Sequence, residues 1–240
     1  MRSISIILPT YNERKNIGKL IPHIFNVFEK NGINGNIIVV DDNSPDRTYE
    51  VVEELQKKYP IILIKRPRKM GIGSAYITGF KRASDEGYDI VFEMDSDLSH
   101  NPDYIPDFLE KINQGFDMVI GSRRENGGGV IGWTWYRNFI SKGASLIGEH
   151  IVGINGLKDL TSGFRAIKKE VINRIDLARI ESDGYAFQLE ILEKVQKIGF
   201  KVGTVPIIFY GRYSGKSKLS KVDVINFFLI ALKFRLGLMK

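Results

Sequence analysis

The chain of 240 residues contains no cysteine, which excludes a disulfide framework, a thiolate metal site and a thiol nucleophile. A leader of the secretory type is not expected, because the apolar stretch Ile4-Ser5-Ile6-Ile7-Leu8-Pro9 is too short before Tyr11-Asn12-Glu13-Arg14-Lys15 follows. A cytoplasmic location is the expectation. No internal repeat, low-complexity tract or linker interrupts the chain, and no helix-turn-helix, zinc-finger or RNP-like signature is present. An apolar run of the about 20 residues needed to cross a bilayer is missing too. The nearest candidate, Val224, Ile225, Phe227 to Leu232 and Phe234, is roughly half that.

What is present is ordinary globular material, 43% hydrophobic and 26% charged, enough to bury a real core in one large or two small domains. The formal net charge of +7 is unevenly placed. Lys65-Arg66-Pro67-Arg68-Lys69, Arg123-Arg124, Arg165 with Lys168-Lys169, and Arg212 through Lys221 are basic; Asp41-Asp42 and Asp95 with Asp97 are acidic. Such a balance favours an anionic partner, either a lipid surface or phosphorylated small molecules. Nucleic acid is not expected, because two carboxylate clusters would repel its backbone. Taken singly, each basic run reads as a solvated face.

Apolar periodicity predicts short strands alternating with amphipathic helices. Strands are expected at Ser5 to Leu8, Asn36 to Val40, Ile61 to Lys65, Asp89 to Met94 and Phe116 to Ile120. Helices fall between them: one through Ile17, Leu20, Ile21, Ile24 and Phe28, one through Val51, Val52 and Leu55, then Gly73 to Glu86 and Pro102 to Asn113. Gly127-Gly128-Gly129 reads as flexible, Trp133 to Ile154 as one or two helices with apolar surface partly turned away from the core, Tyr185 to Ile198 as a helix and Lys201 to Tyr210 as a strand. The pattern implies a mostly parallel sheet with helices on both faces and ligands at the carboxyl ends of the strands. Residues 1–220 form one domain in this reading. Residues 221–240 form a terminal amphipathic helix that either lies in a membrane interface or packs on the sheet.

Polar clusters stand at the predicted strand ends. Pro9-Thr10-Tyr11-Asn12-Glu13 and Val40-Asp41-Asp42-Asn43-Ser44-Pro45-Asp46 end adjacent strands. There a planar base can lie on the Tyr11 ring and donate its N–H groups to Glu13 and Asp41; an Asp-Asn-Ser-Pro stretch also serves as a turn and helix cap. Asp95-Ser96-Asp97 follows the strand Val91 to Met94. Two carboxylates at such a place suit Mg²⁺ or Mn²⁺, which is commonly held by one or two carboxylates plus substrate phosphates. If the cation holds a diphosphate, the protein moves a group off a nucleotide.

Taken in order, these residues resemble the family 2 glycosyltransferases, most closely the polyprenyl-phosphate mannosyltransferase (dolichyl-phosphate mannose synthase) group. The resemblance continues through Gly71-Ile72-Gly73-Ser74-Ala75-Tyr76, Leu98-Ser99-His100, Gly121-Ser122-Arg123, Arg137 with Ser141-Lys142-Gly143, Asp159 to Arg165, Gly184 to Gln188 and Gly215 to Leu219. It implies a GT-A fold and an inverting enzyme that moves mannose from GDP-mannose to dolichyl or another polyprenyl phosphate. By resemblance, Pro9, Tyr11, Glu13, Val40, Asp41, Asp42, Gly73, Asp95 and Ser96 bind the nucleotide sugar, and Asp95 and Asp97 hold the metal. Ser99 stands where some members carry a Gln ligand, which counts against it as one. Arg123, Arg137, Ser141, Lys142, Arg212 and Lys218 are implied to hold the acceptor phosphate, and Asp97, Arg123, Asp159 and Arg212 to serve catalysis. Arg47 replaces the usual Gly, so it either alters the turn or adds a phosphate contact.

An anionic lipid acceptor needs no general base, since a phosphate oxyanion can attack the anomeric carbon directly. A UDP-glucose-dependent relative is the alternative within the class. A nucleotide-sugar-binding partner of an integral membrane subunit is the alternative outside it. A nucleotidyltransferase would want a Gly- and basic-rich loop after the first strand, where this chain has Tyr11-Asn12-Glu13. The work is expected at the cytoplasmic face of a membrane, with the protein peripheral to it.

Overall fold

The structure is a computed structural model that describes residues 2–132, 156–180 and 182–211, together with 229, 232 and 233. In chain order its elements are β1 (Ile4–Thr10), α1 (Arg14–Lys30), β2 (Gly35–Asp41), α2 (Thr48–Gln56), β3 (Ile61–Lys65), α3 (Ile72–Asp85), β4 (Ile90–Glu93) and α4 (Ile105–Asn113). There follow β5 (Met118–Ser122), β6 (Gly129–Ile131), β7 (Arg165–Lys168), α5 (Lys169–Arg174), α6 (Gly184–Lys197), β8 (Val202–Pro206) and β9 (Ile208–Tyr210).

Successive side chains of a strand leave opposite faces of the sheet, and both faces are apolar here. Ile4, Ile6 and Leu8 of β1 join one buried layer with Ile37 and Val39 of β2, whereas Ile7, Ile38 and Val40 join the other. Strands buried on both sides need helices on both sides. Ile17, Leu20, Ile21 and Ile24 of α1, Val52 of α2 and Phe108 of α4 cover the first face; Tyr76 and Phe80 of α3, Val171 of α5 and Phe187 and Leu192 of α6 cover the second. Helix α3 comes close because residue 79 is glycine, where a Cβ would stand 2.5 Å from Ile7 Cγ2.

The strands order as β3-β2-β1-β4-β7-β5-β8, all parallel to their neighbours except β7, which runs antiparallel to both β4 and β5. From β1 the chain moves outward through β2 and β3, then returns to place β4 on the other side of β1. Such a reversal opens a crevice at the carboxyl ends of the strands.

The first four strands and their helices fall where periodicity puts them, the fourth helix beginning as a 3-10 turn at Pro102–Tyr104. Other expectations need correction. Lys201 to Tyr210 is two strands, not one: β8 ends at Pro206, and β9 pairs with β6 in a separate two-stranded sheet. The Gly127-Gly128-Gly129 stretch is likewise no simple flexible tract, because Gly129 begins β6. Strand β7 and helix α5 carry no periodic signal strong enough to announce them. The expected helices in 133–155 lie outside the described residues, as does the terminal helix apart from Leu229, Leu232 and Lys233. Among the described residues no helix is long and apolar enough to cross a membrane.

Candidate active site

Parallel pairing sets Pro9 beside Val40 and Thr10 beside Asp41, and Ile7 beside Glu93. The polar segments after β1, β2 and β4 therefore emerge on one edge of the sheet. Pro9, Tyr11, Glu13 and Asp42 line a cleft there with Asp95, Ser96 and Asp97, and Lys69, Gly71 and Ile72 complete its far wall. Lys69 Nζ lies 5.1 Å from the centre of the Tyr11 ring, a cation over an aromatic face.

The two aspartates at the end of β2 have different surroundings. Asp41 is fully buried and accepts from Thr10 Oγ1 at 2.7 Å, Ser44 N–H at 2.9 Å and Ser44 Oγ at 2.6 Å. Its carboxylate ties the ends of β1 and β2 together and is not part of the cleft wall. Asp42 faces the cleft and accepts from Arg66 Nε and from Met70 N–H at 2.9 Å. Arg66 belongs to a basic run whose sequence reads as solvated, yet it is 7% exposed and also donates to Ser74 Oγ at 2.6 Å and Gly71 O at 3.0 Å. It shapes the 66–71 wall, a role the sequence did not announce. Val40 points into the core against α3. Gly73 N–H donates to Asp183 Oδ1 at 2.6 Å, and Gly71 takes a φ of +92° with the Asp183 carboxylate packed where a Cβ would stand. Arg47 takes a left-handed backbone conformation at φ +62°, one that glycine favours, and pairs with Glu50 at 2.6 Å on the surface. It contributes nothing to the cleft wall.

The acidic loop after β4 is built by its own hydrogen bonds. Ser96 Oγ donates to Pro9 O at 2.8 Å, which ties the loop to β1. Asp97 is 4% exposed, and its Oδ1 accepts from Ser99 N–H at 3.1 Å across Leu98, whose φ is +64°. A branched side chain in that left-handed region marks stored strain. Ser99 itself is fully buried, and Tyr210 N–H of β9 donates to its carbonyl at 3.0 Å. Asp95 N–H donates to His100 Nδ1 at 3.3 Å, and burial lowers the His100 pKa to about 4, keeping the ring neutral. Tyr76 OH lies 3.5 Å from Asp95 Oδ1; burial, and then the charge of Asp95, holds that phenol above its ordinary pKa and protonated. No three His, Asp or Glu side chains among the described residues converge as a metal cage. Two carboxylates on one cleft, Asp95 and Asp97, still fit a hard cation that takes its other oxygens from a diphosphate and water.

Behind this loop stands a buried ion pair. Arg123 Nε and Nη2 donate to Asp159 at 2.7 and 2.6 Å, Arg123 N–H donates to the same carboxylate at 2.9 Å, and Nη2 reaches Thr161 Oγ1 at 2.9 Å. The side chains are 3% and 0% exposed. Burial alone would raise the Asp159 pKa, but the Arg123 charge and hydrogen bonds hold it below the ordinary carboxylate range. Arg165, also fully buried, donates to the carbonyls of Leu160, Ser162 and Gln188, each at 2.8 Å. It thus fixes the 159–163 segment, and Gly163 brings that segment to Asp95. Arg137, Ser141, Lys142, Arg212 and Lys218 lie outside the described residues.

Residues 5–176 match the family described as glycosyl transferase family 2. The chain is 43% identical over 225 residues to the dolichol-phosphate mannosyltransferase of Pyrococcus furiosus, covering 93% of this chain and 61% of that protein. It is 38% identical to the polyprenol monophosphomannose synthase of Mycolicibacterium smegmatis, over 91% of this chain and 82% of that protein. The glucosyl-3-phosphoglycerate synthase of Mycobacterium tuberculosis, solved with Mn²⁺ and UDP-glucose, superposes with a TM-score of 0.71 at 19% identity, over 98% of this chain and 79% of that one. The last comparison shows a shared GT-A fold. The match in sequence runs through the segments that carry Tyr11, Asp41, Asp95, Asp97, Arg123 and Asp159, and the chain belongs to glycosyl transferase family 2.

Proposed function

We propose that this chain transfers mannose from GDP-mannose to a polyprenyl phosphate at the cytoplasmic membrane face, in one displacement that inverts the anomeric carbon. The observation that carries the reading is the single cleft on which Tyr11 and Glu13 meet Asp95 and Asp97. The names of the relatives in P. furiosus and M. smegmatis support the acceptor class. Tyr11 gives a base its aromatic face and Glu13 accepts from the base, while Asp42, held by Arg66, keeps the opposite wall in place. Asp95 and Asp97 would hold Mg²⁺ or Mn²⁺; bound there, the ion neutralises the departing diphosphate.

The acceptor is already an oxyanion, so no side chain need take a proton from it. Asp159 fits that requirement, because both its oxygens are occupied by Arg123. Its task is to fix the guanidinium, and that of Arg123, with Arg137, Ser141, Lys142, Arg212 and Lys218, is to gather phosphate charge. Exposed Leu229 and Leu232 beside Lys233 suit a membrane interface.

Purified protein with Mn²⁺, labelled GDP-mannose and polyprenyl phosphate in detergent is expected to form mannolipid. Asp97→Ala should lose several kcal/mol of transition-state stabilisation, a factor of about 100 or more in rate, while melting as the parent does. UDP-glucose in a parallel reaction distinguishes the donor. Donor left unconsumed by the parent would reject the enzymatic reading in favour of a binding subunit.

A further inference from the structure

His100 closes the motif that begins at Asp95 and has no part in the reaction described so far. It is 2% exposed. Its Nδ1 accepts from Asp95 N–H at 3.3 Å, which places the ring proton on Nε2. The ring stacks on Phe164 at 5.2 Å and 25° and meets Phe209 edge-on at 5.2 Å and 75°. Each of those rings belongs to another part of the site. Phe164 lies between Gly163, which faces Asp95, and Arg165, which fixes the 159–163 segment. Phe209, in β9, lies 5.5 Å under the Arg123 guanidinium, and its neighbour Tyr210 donates to Ser99 O at 3.0 Å.

From this geometry we infer that His100 is a positioning residue for the acidic loop: its Nδ1 orients the Asp95 peptide, while its ring fills the space over the aromatic floor under Arg123 without setting metal affinity. The inference rests on the reading of Asp95 and Asp97 as metal ligands. A residue that orients a ligand in this way typically changes metal affinity by about 10- to 100-fold when replaced. Packing and hydrogen bonding make separable demands. Phenylalanine keeps the ring and removes the acceptor, whereas asparagine sets Oδ1 where Nδ1 stands and removes the ring.

The test is Mn²⁺ binding followed by loss of the free-ion electron paramagnetic resonance signal, with and without GDP, on the parent, H100F, H100N and, as reference, D97A. H100F should unfold as cooperatively as the parent yet bind Mn²⁺ about 10-fold or more weakly, and H100N should stay within about threefold of the parent. Should H100F fail to fold, H100Q, whose amide lies beyond the Nδ1 position, should show the same weakening. Parental affinity in H100F or H100Q, or equal weakening in H100N and H100F, would overturn the inference. Unchanged binding in D97A would instead overturn the metal reading beneath it.

Discussion

Two buried carboxyls in this protein make opposite demands on pH. Glu93, opposite Arg165 in the β4–β7 register, is fully buried. Burial raises its pKa from 4.5 to about 7, against the pull of the Arg165 guanidinium and the Gln188 side chain. Between those values the folded protein holds a proton that the unfolded chain has lost, so this residue's contribution to stability falls as pH rises through 7. Glu93→Gln is expected to match the parent at pH 5 and to be about 2–3 kcal/mol more stable at pH 8.5, measured by urea unfolding at both values. Asp159 works the other way. Its folded pKa is depressed below the ordinary 3.8, so its contribution is complete above the unfolded value and is lost as the pH falls through the folded one. Asp159→Ala leaves Arg123 buried without its partner and should cost about 3–5 kcal/mol at pH 7, with the deficit shrinking in acid; a deficit independent of pH would count against the ion pair as its cause.

At the scale of elements, α3 and the strand-end loops decide the shape of the cleft. Gly79 lets α3 lie close to β1, and α3 begins at the cleft wall with Gly71 and Ile72. Gly79→Ala should destabilise by about 1–3 kcal/mol through overpacking against Ile7, and a melt that does not shift would show that α3 has room to move. The strands flanking the cleft were legible because their apolar residues recur without interruption and polar turns end them. β7 was not legible for a physical reason: a strand of Arg165-Ala166-Ile167-Lys168 looks like surface. Three carbonyls make a buried guanidinium tolerable, those of 160 and 162 in the turn just before the strand and that of 188 from α6, and neither the shape of that turn nor the approach of α6 can be read from four residues. The same holds for Arg66, whose partners Asp42 and Gly71 become visible only once β2 and α3 are set side by side. The carboxylates of the site were legible as residues, but not their division of labour. Sequence offers both a binding role and a turn or cap role at Asp41-Asp42 without assigning them, with Asp41 named as the base contact, whereas the fold turns Asp41 inward to Thr10 and Ser44 and leaves Asp42 on the cleft.

Across the whole molecule, a sheet reversal at β1 and β4 brings the cleft of Tyr11, Glu13 and Asp42, proposed above to take the nucleoside, and an acidic loop to one edge, and an inserted antiparallel strand brings the Arg123–Asp159 pair behind them. The positive charge of the chain, +7 overall, suits two phosphorylated substrates better than it suits the fold itself. The central claim is that a lipid phosphate displaces the nucleoside diphosphate directly, with no covalent enzyme intermediate and no protein base. The anomeric configuration of the mannolipid formed from GDP-α-mannose, read from its one-bond carbon–hydrogen coupling by NMR, tests this most directly. A β-linked product is predicted; an α-linked product would contradict the single displacement and require a second nucleophile in the site.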